Sequence, residues 1–122
     1  MKYAIALLLI AAVLVAGCIG QSGAPTASAV TGTDIIEFYG AECAHCINMK
    51  PIVEQVESDL GLTITKLEVW HDDGNRAKFL EFDSIITASC GGLGVPAFVN
   101  LKTGRAICGE KTAEELRRFI TG

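Results

Sequence analysis

The chain has no basic stripe. Its 10 Lys and Arg are scattered among 14 Asp and Glu, for a net charge of −4. Phosphate backbones are gripped by clustered positive charge, so nothing here points to a nucleic-acid partner. It has no glycine-rich dinucleotide fingerprint, and no organic cofactor is implied. It has neither a second C-x-x-C nor an H-x-x-x-H. A zinc site needs about four ligands, so the motif for one is missing and no metal is assigned. Methionine is scarce, with Met49 the only one beyond Met1, so there is no methionine cluster for a soft metal. No internal repeat is present. The longest apolar run, Ala4 to Ala16, is too short to span a bilayer comfortably.

That run has the proportions of a signal-peptide core, behind the single positive charge of Met1-Lys2-Tyr3. Val15-Ala16-Gly17-Cys18 resembles a prokaryotic lipoprotein signal, in which cleavage precedes the cysteine and the cysteine takes a lipid. The resemblance implies a leader over 1–17 and a lipid on Cys18. The alternatives are an ordinary signal peptide or an uncleaved anchor, with Cys18 a plain thiol. In every version the remainder lies outside the cytoplasmic membrane, where disulfides persist. The lipoprotein version implies attachment to the outer face of the cytoplasmic membrane or another extracytoplasmic membrane surface.

The 50% hydrophobic content is inflated by this segment. Losing it also loses Lys2, which leaves 9 basic and 14 acidic residues and a net charge of −5. Ile19 to Thr33 is rich in Gly, Ser, Ala and Thr, without period or charge. Residues 18–33 therefore read as a flexible tether, reaching on the order of 20–50 Å. The folded domain is expected over 34–122, small enough that crosslinks would help its stability. Four cysteines fall in it, a near pair (Cys43, Cys46) and a distant pair (Cys90, Cys108).

Within the domain, Ile35 to Tyr39 predicts a buried strand. Cys46 to Leu60 predicts a helix with Ile47, Val53, Val56 and Leu60 on its apolar side, stopped by Gly61. Leu62 to Trp70 is β-rich, but Leu62 and Ile64 share one phase while Leu67 and Val69 share the other. That leaves room for a bulge or a late strand start. His71 to Asn75 predicts a solvated turn and helix cap rather than a metal site, because consecutive side chains diverge. Trp70 is expected as a core or rim aromatic. Arg76 to Thr87 predicts a second helix, and Ser89 to Gly94 a glycine-rich loop. Ala97 to Asn100 and Arg105 to Cys108 predict a hairpin around Lys102-Thr103-Gly104. Thr112-Ala113-Glu114-Glu115 is a capping box that opens a last helix to about Thr121. The expected order is β-α-β-α-β-β-α.

Cys43-Ala44-His45-Cys46 stands where the first strand gives way to the first helix. A cysteine there faces unpaired backbone N–H groups and the positive end of the helix dipole, and both favour thiolate. The competing readings are a structural disulfide or half a metal site. Together with the element order, this motif resembles the thioredoxin-like family in its minimal form, an α/β fold with a central mixed sheet flanked by helices. The resemblance covers about 34–122. Pro51 lies five residues after Cys46, where many thioredoxins carry a helix-kinking proline. Val95-Pro96 precedes a strand and matches the family's cis-proline loop. Gly109 stands where the family has a glycine beside the active site.

The resemblance implies that Cys43 is an exposed nucleophile and Cys46 a more buried resolving thiol. It implies that Val95, before a cis Pro96, offers its backbone to a substrate strand. His45 lies between the cysteines, and a nearby His⁺ would stabilise the Cys43 thiolate; the bland alternative is a solvent-facing side chain. Glu42, directly before Cys43, would oppose that effect. Glu37 stands six residues before Cys43, where many thioredoxins carry a buried acid able to take the Cys46 proton, unless it is simply a solvent-facing strand residue. Cys90 and Cys108 would both lie near the cis-proline loop. Three readings remain for them: a disulfide closing a loop of about 18 residues and worth roughly 3 kcal/mol, a relay pair passing electrons to or from Cys43-Cys46, or two free thiols.

The function expected from this is a membrane-tethered, extracytoplasmic thiol–disulfide oxidoreductase. Its partners would be cysteine-containing exported proteins and a membrane or extracytoplasmic redox partner that reloads the dithiol. Two rivals stand beside it. One is Cu(I) handling by Cys43, Cys46 and His45. The other is a non-catalytic binding domain with both cysteine pairs structural.

Overall fold

Eight elements follow one another in the computed structural model, which describes residues 34–122. They are β1 (Ile35–Tyr39), α1 (Ala44–Leu60), β2 (Thr65–Glu68), α2 (Asp73–Glu81), α3 (Asp83–Cys90), β3 (Ala97–Asn100), β4 (Arg105–Cys108) and α4 (Ala113–Thr121). The expected leader, lipidated Cys18 and tether over 18–33 lie outside the described residues.

The strands form one mixed sheet in the order β2-β1-β3-β4. β1 runs parallel to β2 and antiparallel to β3, and β3 runs antiparallel to β4. Side chains alternate across a strand, and here both faces are covered. Ile36, Phe38, Ala97 and Val99 pack with Phe79 and Ile86 from α2 and α3. Ile35 and Phe98 pack with Met49, Val53 and Val56 of α1 and Leu116 of α4. This explains why β1 and β3 read as continuous apolar runs. It also puts Glu37, in phase with Ile35, beneath α1 rather than in solvent.

Several expectations shift. α1 starts two residues early, at Ala44, because the Cys43 sulfur serves as its N-cap and accepts from the Cys46 N–H at 3.4 Å. Its buried stripe is Cys46, Met49, Val53 and Val56. Ile47 was expected on that side but is 56% exposed, about 100° around the helix from Cys46. Gly61 ends the helix at φ +63°, a conformation that glycine adopts without penalty.

The single helix expected over Arg76 to Thr87 is two helices, broken at Phe82. Phe79 and Phe82 both lie against Phe38, with ring centroids 5.0 and 5.7 Å away. Tilted aromatic contacts of this kind contribute about 0.5–1.5 kcal/mol beyond area burial. The order is therefore β-α-β-α-α-β-β-α, the expected sequence with its second helix divided. α3 continues through Cys90 and stops at Gly91 (φ +78°), so Cys90 ends a helix instead of lying in the expected loop.

β2 is shorter than Leu62 to Trp70, and its register against β1 is unbroken from Thr65 to Glu68. The phase change is not a bulge. Leu62 and Ile64 meet the α1–α4 core before the ladder begins, while Leu67 and Val69 meet the opposite core. The hairpin strands and the capping box on α4 fall where the sequence places them. No helix among the described residues is long and apolar enough to cross a membrane.

Candidate active site

The chain leaves β1 at Tyr39 and reaches α1 through a four-residue turn. Gly40 is obligatory there, because a Cβ at that position would lie 2.4 Å from the Trp70 ring. The Cys43 N–H closes the turn on the Gly40 carbonyl at 3.1 Å. Trp70, 44% exposed, is thus the rim of this turn.

Cys43 and Cys46 are both free thiols. Cys43 was expected to be exposed, yet it is 8% exposed against 5% for Cys46. The cover comes from the loop before β3: the Val95 carbonyl oxygen lies 3.8 Å from the Cys43 sulfur. What separates the two thiols is therefore their surroundings. Burial pushes the Cys46 thiol up to about 12, reinforced by the hydrogen bond and charge of Cys43 and by the charge of Glu37, and opposed by a backbone contact at Gly40. Cys46 holds its proton until something takes it.

Glu37 acts on Cys46 through its charge. It is 4% exposed, and burial pushes its carboxyl up to about 7, with Lys66 pulling it down and Glu57 pushing it up. A cavity of about 560 Å³ is lined by Cys46 together with Glu37, Lys50, Glu57 and Lys66. Thiol and carboxyl both line this space.

The Val95-Pro96 peptide is cis. Gly109, at φ +76°, donates its N–H to the Pro96 carbonyl at 2.9 Å, which sets it beside the same loop. Cys108 pairs in register with Ala97, and its sulfur is bonded to that of Cys90 (Cα–Cα 5.9 Å). This second pair joins the end of α3 to the end of β4.

The side chains that flank the dithiol are paired away from it. His45 is exposed, and its Nδ1 lies 2.7 Å from Glu110 Oε1, which also accepts from Asn48 at 2.9 Å. Hydrogen bonds from Asn48 and His45 hold the Glu110 carboxyl below the usual carboxylate range. Glu42 meets His71 Nε2 at 2.8 Å, and the carboxylate holds the His71 imidazole above its ordinary value. From sequence, His45 and Glu42 bear only on Cys43, nothing singles out Glu110 or Glu68, and His71 belongs to a solvated turn; the structure pairs His45 with Glu110 and Glu42 with His71. Asp72 does cap α2, accepting from the Asn75 N–H at 2.8 Å. No local signal marks these partners, which lie 29 and 65 residues away along the chain. No cluster of three or more metal-ligating side chains occurs among the described residues.

No protein-family model matches the sequence, and no curated protein matches it. Solved structures do. A glutaredoxin from Methanosarcina mazei Go1 superposes with a TM-score of 0.52 at 19% identity, over 75% of this chain and 80% of that one. The N21Q mutant thioredoxin from Halobacterium salinarum NRC-1 superposes with a TM-score of 0.50 at 24% identity, over 72% of this chain and 73% of that one. The fold is thioredoxin-like. At these identities the likeness speaks for the fold. The chemistry is carried by this chain's own close cysteine pair at the start of α1, which suits thiol–disulfide redox work.

Proposed function

We propose that this protein is a membrane-tethered, extracytoplasmic thiol–disulfide oxidoreductase that exchanges disulfides with exported proteins through Cys43 and Cys46. The observation that carries the reading is the inequality of the two thiols. Cys43 caps a helix beside the Val95 carbonyl, while Cys46 is held protonated beside a carboxyl poised near neutrality.

In the reducing direction the Cys43 thiolate attacks one sulfur of a substrate disulfide. A mixed disulfide forms and the other substrate sulfur leaves as thiolate, taking a proton from solvent. Glu37 then accepts the Cys46 proton. The Cys46 thiolate attacks the Cys43 sulfur, which forms the Cys43–Cys46 disulfide and expels the second substrate sulfur. The substrate gains two electrons and the protein loses two. Oxidation of a substrate dithiol is the same path reversed. The Val95 backbone lines the approach to Cys43, so an extended substrate segment would bind there.

Cys43→Ser is expected to abolish exchange with a peptide disulfide, measured by trapping the mixed disulfide. Full activity in that variant would end the reading. Failure of an alkylating reagent to reach Cys43 after mild reduction would favour the non-catalytic binding domain. The direction of electron flow follows from the reduction potential of the pair. A value near roughly −270 mV means a reductase and one near roughly −120 mV an oxidant. The tether is tested separately: Cys18→Ala should release the protein from the membrane fraction, and retention there would remove the lipid from the proposal.

A further inference from the structure

We propose that Glu68 is the positioning residue of the active-site turn, holding Cys43 in place through one carboxylate shared between two loops. The inference rests on the exchange reaction above and concerns how its nucleophile is aimed.

Glu68 is the last residue of β2 and stands opposite Tyr39, the last residue of β1. Both chains leave the sheet at this point, one toward Cys43 and the other toward α2. Only Val69 continues the pairing, donating its N–H to the Tyr39 carbonyl at 2.9 Å. Beyond it the backbone N–H groups have lost their ladder partners and need others. The half-buried Glu68 carboxylate supplies them. Oε1 accepts from the Ala41 N–H at 3.2 Å and the Trp70 N–H at 2.9 Å, so one oxygen bridges the two departing loops. Oε2 accepts from the His71 N–H at 2.7 Å.

Two consequences reach the cysteine. With its backbone fixed, Trp70 lies across Gly40 and leaves no room for the turn to rise. With its backbone fixed, His71 presents Nε2 to Glu42, the residue bonded to Cys43. Charge-assisted hydrogen bonds from backbone N–H to carboxylate are among the stronger ones. Desolvation pushes the Glu68 carboxyl up, but the N–H groups of His71, Trp70 and Ala41 together hold it below the usual range. It stays ionised, and keeps accepting, across the pH range in which thiol exchange runs.

Positioning should matter most where the substrate must lie along Val95 while its sulfur meets Cys43. A small neutral disulfide can rotate to find the sulfur, whereas an extended peptide cannot. The test uses reduced full-length protein with two probes, hydroxyethyl disulfide and a disulfide-bonded peptide. Mixed disulfide at Cys43 is trapped with acid and weighed over time. Small displacements of reacting groups cost large rate factors, so Glu68→Ala is expected to slow the peptide about tenfold and the small disulfide less than about threefold. Glu68→Gln keeps one oxygen for the bridge and should recover most of the peptide rate. Equal losses on both probes, or no loss on either, would overturn the proposal while leaving the exchange reaction standing. No transfer from the wild-type protein to either probe would overturn the exchange reading and this inference with it. If Glu68→Ala does not fold, amide hydrogen exchange on the wild-type protein decides. The Ala41 N–H should be protected, and exchange at the rate of an unstructured amide would sink the brace.

Discussion

The two cysteine pairs adjoin the same loop and are opposite in kind. Cys43 and Cys46 sit one helical turn apart at the start of α1, on a single element, as free thiols. Cys90 and Cys108 come from different elements, α3 and β4, and are bonded. Closing a disulfide within one turn of α1 constrains almost nothing, so that pair can open and close without disturbing the fold. The second bond ties two elements together across 18 residues of sequence. Opening it would release the end of α3 and the loop leading to Val95. The same side chain thus serves exchange in one place and cohesion in the other, and connectivity makes the difference.

The sharpest way to break this comparison is to remove the asymmetry of the exchanging pair. Glu37→Gln leaves a group of similar shape that cannot take the Cys46 proton. Loss of a general base costs roughly 10²-fold or more, so stopped-flow resolution of the Cys43 mixed disulfide at pH 7 should slow by about that factor. Unchanged resolution would assign the proton to water in the cavity. The same variant has a signature in stability. The Glu37 carboxyl binds its proton more tightly folded than unfolded, at about 7 against 4.5. The native state therefore holds more protons between those values, and stability falls as pH rises through them. By pH 8 the whole cost, about 3 kcal/mol, is felt. Glu37→Gln should thus flatten the pH dependence of urea unfolding between pH 4 and 8.

The cohesive pair gives the complementary test. Cys90→Ala with Cys108→Ala should lower stability by about 3 kcal/mol through loop-closure entropy, a drop of roughly 15 °C in Tm for a domain of this size. Exchange at Cys43 with a small disulfide should stay within about threefold of wild type, since the sulfur is not touched. A loss of exchange as complete as that in Cys43→Ser would make Cys90-Cys108 a relay. Counting thiols on the protein before any reduction adds a control, because labelled Cys90 and Cys108 would remove the disulfide altogether.

The smallest effect is expected at His45. Its imidazole is paired with Glu110 at the surface, where ion pairs are screened and weak. Glu110→Gln should change the Cys43 exchange rate by less than about twofold. A larger gain would mean that Glu110 restrains His45 from acting on the Cys43 thiolate.

Much of this fold was legible because its signals are local. The apolar run at Ile35 to Tyr39, the Thr112–Glu115 capping box, the hairpin around Lys102 to Gly104 and the stop at Gly61 each depend on a few neighbouring residues. They fall where expected. The split at Phe82 was not legible, because no proline or glycine marks it in the sequence. Ile47 is a different case: it lies about 100° around the helix from Cys46, off the stripe that Cys46, Met49, Val53 and Val56 share, so the helical period alone excludes it from the buried side. In the site, the C-x-x-C at a strand-to-helix junction named both thiols from local sequence. Burial of Glu37 was implied by the family resemblance; strand alternation alone left it open, and the cover on both faces of the sheet decided it.

By itself, then, the sequence determined which segments are strands and helices, apart from the division at Phe82, and which cysteines stand at a helix start. These are matters of period, capping and spacing, written over a few residues. Only the tertiary structure decided which groups meet: Glu68 with the Ala41 N–H, Glu42 with His71, His45 with Glu110, Val95 with Cys43, Cys90 with Cys108. The partners in these contacts lie from 18 to 65 residues apart in sequence. Charged and polar side chains carry no periodic mark of their partner. Their pairing is fixed only when the packed layers bring loop ends together and leave backbone and carboxylate groups to satisfy one another.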